Sequence, residues 1–280
     1  MAQIPPLLCS TGAFSRHPDY TFYRDILEYG PLLDVDGFEV MFYRNWYPEI
    51  EHIATDLQRS GLSFPAVHAE KSIGVGLGQP NRSAREQALH NLQLNCQLAQ
   101  QIGARLLILH LWGWPELDDH LAYNLDLLPQ CLDAAASHDL EIAIETIPCR
   151  VSTPLHNVHL AALHDARSHV TLDTEFLALH DQITQVFNTP WLWLDQRIRH
   201  IHIKDFSGNG LSLNGRRRYL HPGEGVIDFP SFFSHLQQQQ YQGNISLESP
   251  VLDDKGQPDI PKLQKSLSSL RSLLTQAYSL

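Results

Sequence analysis

The sequence predicts an α/β protein built on a parallel sheet, and three observations support this. Short apolar runs alternate with longer amphipathic segments along the whole chain. Eight such runs share 280 residues, which gives 35 residues per unit, a natural length for one strand, one helix and their loops. No glycine-rich phosphate loop follows the first run, where the chain reads Ser10-Thr-Gly-Ala-Phe14. The pattern allows a closed (β/α)₈ barrel or an open doubly wound sheet, and an open sheet would usually carry such a loop.

Each apolar run predicts one strand, and each intervening segment predicts a helix. The strands are expected at residues 7–9, 37–41, 64–68, 105–110, 141–145, 170–173, 198–204 and 244–248. Pro48 opens a helix over residues 48–59, with Gly61 just past its end. A capping box from Ser83 to Glu86 opens the next, which ends before Gly103. Apolar periodicity predicts further helices at residues 118–138, 157–167 and 260–278.

Composition and charge narrow the classes of protein to consider. Hydrophobic residues make up 43% of the chain and charged residues 18%, which is typical of a folded globular protein. The net charge of -11 argues against broad, sequence-independent nucleic-acid binding. The four cysteines form no C-x-x-C pair, and neither a signal peptide nor a membrane span is indicated. We therefore expect one cytoplasmic domain covering residues 1–280.

Four polar residues lie at the ends of apolar runs in the second half of the chain. They are Glu145, Asp173, His202 and Glu248. Side chains alternate between the two faces of a strand, and each of these residues lies on the face opposite its large aliphatic neighbours, which is the predicted interior. Three carboxylates in one lumen repel each other unless a cation or protons intervene. Carboxylates with an imidazole suit a divalent metal, and salt-bridged structural carboxylates with a core histidine are the alternative.

Five other residues are candidates for substrate binding. His68 and His110 end interior strands, so they position substrate, serve as further ligands or pack as interior histidines. Trp112 covers a sugar ring or packs against the barrel rim. Lys204 and Arg217, the second of three consecutive arginines, form a clamp for a phosphate or for a developing enolate charge. The alternative for the arginine run is a solvated loop.

Several segments resemble the xylose isomerase-like TIM barrel superfamily, especially its sugar phosphate isomerases and epimerases. The most specific is His200-Ile-His-Ile-Lys-Asp205 followed by Pro222-Gly-Glu-Gly225. The others are residues 107–110, 143–145, 172–174, 227–229 and 246–248. The resemblance implies a (β/α)₈ TIM barrel that holds one divalent ion through Glu145, Asp173, His202 and Glu248. It also implies that Glu145 and Glu248 act as the acid–base pair.

The resemblance implies an isomerase or epimerase of a sugar or sugar phosphate that transfers a proton next to a carbonyl. The ion would be Mn²⁺, Mg²⁺, Co²⁺ or Zn²⁺. Alternatives are a dehydratase of the same fold, a phosphodiesterase of the endonuclease IV type, and a barrel that has lost catalysis. Phe176 stands where the family often has a histidine, so the substrate set is altered. Arg217 and Tyr219 stand where the endonuclease IV type has ligands of its trinuclear metal site. The sequence leaves open whether the chain forms a homodimer.

Overall fold

A computed structural model of the chain describes residues 3–15, 22–114, 116–213, 216–253 and 255–279. Eight parallel strands form one closed barrel, which confirms the predicted (β/α)₈ fold. The barrel strands are β1 (Leu7–Ser10), β2 (Gly37–Met41), β3 (Ala66–His68), β4 (Leu106–Leu109), β5 (Glu141–Glu145), β6 (His169–Asp173), β7 (Ile198–Ile203) and β10 (Asn244–Leu247). A short antiparallel hairpin, β8 (Ser212–Leu213) with β9 (Arg216–Arg217), follows β7.

Helices occupy the segments between the strands. The α-helices are α1 (Arg24–Tyr29), α2 (Ile50–Arg59), α3 (Ser72–Leu77), α4 (Arg82–Gln101), α5 (Leu121–Ala136), α6 (Pro154–His164), α7 (Thr174–Leu179), α8 (Phe229–Gln238) and α9 (Ile260–Tyr278). Short 3₁₀ helices lie at Thr11–Ala13, Gly30–Leu32, Arg44–Glu49, Gln185–Asn188, Pro190–Leu192 and Leu194–Gln196. None of the described helices is both long and apolar enough to cross a membrane. The cytoplasmic location stays a prediction.

Four helix starts differ from the sequence-based expectation. Helices predicted from residues 118 and 157 begin at Leu121 and Pro154, and the other two differences have a local cause. The capping box at Ser83 and Glu86 is wrong, because α4 begins two residues earlier. Asn81 is its N-cap, in extended conformation, and its side chain accepts a 3.0 Å hydrogen bond from the Ala84 amide. Glu86 instead pairs with Arg82, Nε to Oε1 2.6 Å. Pro48 lies within a 3₁₀ helix, and the α-helix that follows begins at Ile50.

The chain divides into two compact units. The central unit is Glu39–Leu172, and the terminal unit comprises Met1–Phe38 with Asp173–Leu280. In the central unit, Ala66, Leu106, Ile108 and Ala143 form one buried apolar cluster. Ala66, Ile108 and Ala143 each lie two residues before a candidate site residue, namely His68, His110 and Glu145. Because side chains alternate along a strand, each pair shares one face, and the buried cluster lies on that face.

In the terminal unit, β10 lies between β1 and β7. Strand pairing places Leu7 beside Ile245, and Ser246 beside His202. Helix α9 covers this unit with a buried leucine stripe at three-four spacing: Leu263, Leu267, Leu270 and Leu274. Its bounds are those predicted from this spacing. The pairing of β7 with β10 matters for chemistry because it places the polar residues at the ends of these two strands side by side.

Candidate active site

Three of the four predicted metal ligands meet in the terminal unit. Asp173 ends β6, His202 lies within β7, and Glu248 follows β10. One candidate ligand atom from each lies within 4.8 Å of the others. His202 Nδ1 is 3.5 Å from Glu248 Oε2, and all three side chains are buried. Carboxylate oxygens and an imidazole in this arrangement suit a divalent ion.

Lys204 lies in the same cluster. It follows β7 and shares the face of His202, two residues before it. Its Nζ atom is 2.6 Å from Asp173 Oδ2 and 2.6 Å from Glu248 Oε2. The ammonium also lies 4.6 Å from the centre of the Phe176 ring, and the residue is only 4% exposed. A buried cation therefore bridges two of the predicted ligands.

The start of α7 fixes the geometry of this cluster. Asp173 is the N-cap of α7, and its Oδ1 accepts a 2.9 Å hydrogen bond from the Phe176 amide. Its Oδ2 is the oxygen that faces Lys204. The Thr174 hydroxyl accepts a hydrogen bond from the Lys204 amide, at 3.0 Å, and donates one to the Lys204 carbonyl oxygen, at 2.7 Å. One helix start thus positions a carboxylate and the backbone of the lysine together.

Glu145 lies in the central unit with both predicted active-site histidines of that unit. Its Oε2 is 3.0 Å from His68 Nε2 and 2.7 Å from His110 Nε2. One candidate ligand atom from each of the three lies within 4.8 Å of the others, so the group has donors for an ion. The two imidazole rings meet edge to face, with centroids 4.8 Å apart. The alternation along β3, β4 and β5 explains why these three side chains converge.

The hydrogen bonds of His68 fix how its ring faces Glu145. His68 Nδ1 lies 2.8 Å from the Ala69 carbonyl oxygen, which only accepts, so Nδ1 carries a proton. Nε2 is then the ring nitrogen that faces the Glu145 carboxylate, 3.0 Å from its Oε2. Burial lowers the pKa of His110 to about 4, although the Glu145 carboxylate acts in the opposite direction.

The two most specific sequence motifs meet at Asp205. Its Oδ1 accepts hydrogen bonds from the amides of Phe206, at 2.8 Å, and Ile227, at 3.1 Å. Its Oδ2 accepts from the amides of Gly223, at 2.9 Å, and Gly225, at 2.8 Å. The fully buried carboxylate thereby ties the loop after β9 to the end of β7. Asp205 was part of the motif, but nothing in the motif indicated this positioning role.

Arg217, the predicted phosphate clamp, is engaged by an acidic residue. Its guanidinium forms a two-bond pair with the Glu175 carboxylate, with Nη1 2.7 Å from Oε1 and Nη2 on Oε2. The same group lies 4.8 Å from the centre of the Tyr219 ring and 6.0 Å from that of Phe176. Sequence reasoning missed Glu175, although its position two residues after Asp173 was a usable signal. Arg217 as a substrate ligand stays a prediction.

Trp112 and Asp118 hold the loop that follows Glu145. Trp112 is 1% exposed, and its indole N–H donates a 3.0 Å hydrogen bond to the Pro148 carbonyl oxygen. Asp118, which sequence reasoning did not single out, accepts from the amides of residues 150, 151 and 152 and from the Asn157 side chain. Burial alone would raise the pKa of Asp118, but these hydrogen bonds lower it overall. The proposed sugar contact of Trp112 stays a prediction.

Comparison with family models shows which protein family includes this chain. The model of the xylose isomerase-like TIM barrel family matches residues 28–273. The chain belongs to this family. A search of curated proteins finds no match. Membership in the xylose isomerase-like family agrees with the closed barrel and with the polar strand ends described above.

Solved structures of xylose isomerase-like barrels share the fold at low sequence identity. The 3-keto-D-glucoside 4-epimerase YcjR from E. coli is 14% identical, with a TM-score of 0.68 over 96% of this chain and 99% of its own. D-Psicose 3-epimerase from Clostridium cellulolyticum H10, solved with D-tagatose, is 15% identical, with a TM-score of 0.71 over 96% and 99%. The IOLI protein, solved with a zinc atom, is 14% identical, with a TM-score of 0.66 over 98% of each chain.

Proposed function

We propose that this protein is a divalent-metal-dependent sugar isomerase or epimerase that transfers a proton next to a carbonyl. The observation that carries the proposal is the convergence of Asp173, His202 and Glu248 on buried strand ends. Membership in the family and the sugar epimerases among the solved neighbours support the same reaction class. A dehydratase of the same fold begins with the same proton abstraction, and product analysis separates the two.

The proposed ligand set is Glu145, Asp173, His202 and Glu248. Membership in the xylose isomerase-like family supports this set. When bound, a divalent ion supplies Lewis-acid stabilisation of charge on the substrate oxygens. Mixed oxygen and nitrogen donors accept Mn²⁺, Mg²⁺, Co²⁺ or Zn²⁺, and one solved neighbour carries zinc.

The proposed acid–base pair is Glu145 and Glu248. One carboxylate removes the proton from the carbon next to the carbonyl, and the other delivers or exchanges a proton on the opposite face. His68 and His110 orient Glu145, because their Nε2 atoms lie 3.0 Å and 2.7 Å from its Oε2. Glu145 is thus held by its own neighbours before substrate arrives.

The proposed substrate is an uncharged keto sugar rather than a sugar phosphate. Arg217, the predicted phosphate clamp, already gives both of its terminal nitrogens to the Glu175 carboxylate. A phosphate would have to compete with this carboxylate for the guanidinium. The substrates that the neighbours' names state, a 3-keto-D-glucoside and D-psicose, are uncharged sugars, as is the D-tagatose bound in one of them.

Metal content of the purified protein tests the proposal. We expect elemental analysis to find one divalent ion per chain, and His202→Ala to lose it. The matched control is His164→Ala, because His164 is exposed at the end of α6 and should retain the ion. A protein that stays empty after incubation with Mn²⁺, Co²⁺ and Zn²⁺ would contradict the proposal.

A further inference from the structure

We propose that the Lys204 ammonium competes with the divalent ion for the oxygens of Asp173 and Glu248, so that this lysine sets the metal affinity of the protein. The inference rests on the metal site of the proposed function. It concerns how tightly the ion is held rather than the reaction. The lysine would act as a built-in counter-cation that the ion has to displace.

The competition is for the same atoms. At Asp173, Oδ1 is engaged by the Phe176 amide at the N-cap of α7, so Oδ2 is the oxygen aimed at the cluster. That oxygen lies 2.6 Å from Lys204 Nζ. At Glu248, Nζ contacts Oε2, which is also the oxygen 3.5 Å from His202 Nδ1. An ion shared by the three donors would take the oxygens that the ammonium holds.

Distance and burial make joint occupancy unfavourable. Metal–oxygen bonds to carboxylates are about 2.0–2.2 Å long and Nζ lies 2.6 Å from each oxygen, so an ion bound to both would lie no more than about 4.8 Å from an unmoved Nζ. Lys204 is 4% exposed, and Asp173 is fully buried. Water and salt therefore screen little of the repulsion between the two cations.

The ammonium can leave without moving the backbone. The amide and the carbonyl oxygen of Lys204 are both bonded to the Thr174 hydroxyl, which fixes the main chain. The lysine side chain has four rotatable carbon links. The Phe176 ring, 4.6 Å from Nζ, offers an aromatic face that attracts an ammonium. Displacement therefore requires only a side-chain rotation, and the ammonium already has this ring as a neighbour.

The test is a Mn²⁺ titration of chelator-stripped protein, with free Mn²⁺ measured by electron paramagnetic resonance. Lys204→Met removes the competing charge, and we expect its Kd to be at least about tenfold lower than that of the wild type. We also expect a lower Tm without metal, because the carboxylates lose their counter-cation, and a larger rise in Tm with Mn²⁺.

Lys204→Arg keeps the charge and should bind no more tightly than the wild type. Lys265→Met, on the exposed face of α9, is the matched control and should not change Kd.

The outcomes separate this inference from the proposed function. If the wild type binds Mn²⁺ and Lys204→Met binds it equally or more weakly, the competition is overturned and the proposed function stands. If the wild type binds none and Lys204→Met does, the competition is supported and the metal dependence of the native protein fails. If neither binds, both fail. If Lys204→Met does not fold, by far-UV circular dichroism, Lys204→Gln decides in the same titration.

Discussion

Replacing Asp205 by asparagine is expected to loosen the loop that follows β9. The buried carboxylate accepts four backbone hydrogen bonds, two on each oxygen. Asparagine keeps one accepting oxygen and turns an NH₂ group toward the other two amides, so two bonds are lost. Hydrogen bonds to charged groups contribute roughly 1.5–3 kcal/mol each, which gives a loss of roughly 3–6 kcal/mol in the free energy of unfolding. If the loop relaxes so that water bonds the two amides, the loss in the free energy of unfolding lies at the lower end of this range.

Urea unfolding at pH 7 measures this loss directly. The matched control is Asp259→Asn at the N-cap of α9, where the side chain accepts one 3.0 Å hydrogen bond from the Lys262 amide. Asparagine and aspartate are about equal as N-caps, so this change should alter stability by under about 0.5 kcal/mol. A loss below about 1 kcal/mol for Asp205→Asn would refute the role assigned to the carboxylate.

Three further predictions address packing and pH. Gly225→Ala should cost about 1–3 kcal/mol in urea unfolding, because its Cβ would collide with the Phe206 carbonyl oxygen and the Asp205 carboxylate; unchanged stability would contradict the loop geometry. His110 is neutral when folded and protonated when unfolded between about pH 4 and 6.5, so wild-type stability should fall as pH drops through this window and His110→Gln should flatten the fall. The pKa of Asp118 is lowered in the folded protein. Its contribution to the free energy of unfolding is therefore present above its pKa in the unfolded chain and is lost as the pH falls through its pKa in the folded protein. The difference in the free energy of unfolding between the wild type and Asp118→Asn should therefore disappear in acid. A difference that persists there would contradict the role assigned to the Asp118 carboxylate.

The strands and many of the helices were predicted from local signals, strand alternation and helix periodicity, whereas the closed barrel was predicted over an open sheet from the resemblance to a family. The leucine stripe of α9 gave its bounds, and β2 and β5 also have their predicted bounds. Helix α3 was missed because its Gly74 and Gly76 argue against a helix locally. Close packing explains these glycines: a Cβ on Gly74 would collide with the His110 carbonyl oxygen, and one on Gly76 with the Ala88 side chain.

The site was predicted as a set of residues but not as a set of contacts. Alternation along each strand predicted the interior face for Glu145, Asp173, His202 and Glu248, because that phase depends only on sequence spacing. The partners of Lys204 could not be predicted, since the two carboxylates that hold its ammonium lie far from it in sequence and come close only through the strand order of the folded barrel. The pairing of Arg217 with Glu175 was equally hidden, because it depends on how the loop folds over α7.

Incorporation of solvent deuterium into a keto sugar tests the central claim most directly. The wild-type protein with Mn²⁺ should exchange the hydrogen next to the carbonyl, measured by mass spectrometry of the sugar. Glu145→Gln and Glu248→Gln should each reduce the exchange rate by at least about 100-fold, because each removes one member of the acid–base pair. Glu86→Gln, at an exposed position on α4, should not change it. Wild-type exchange rates in both active-site variants would contradict the claim that these carboxylates move the proton.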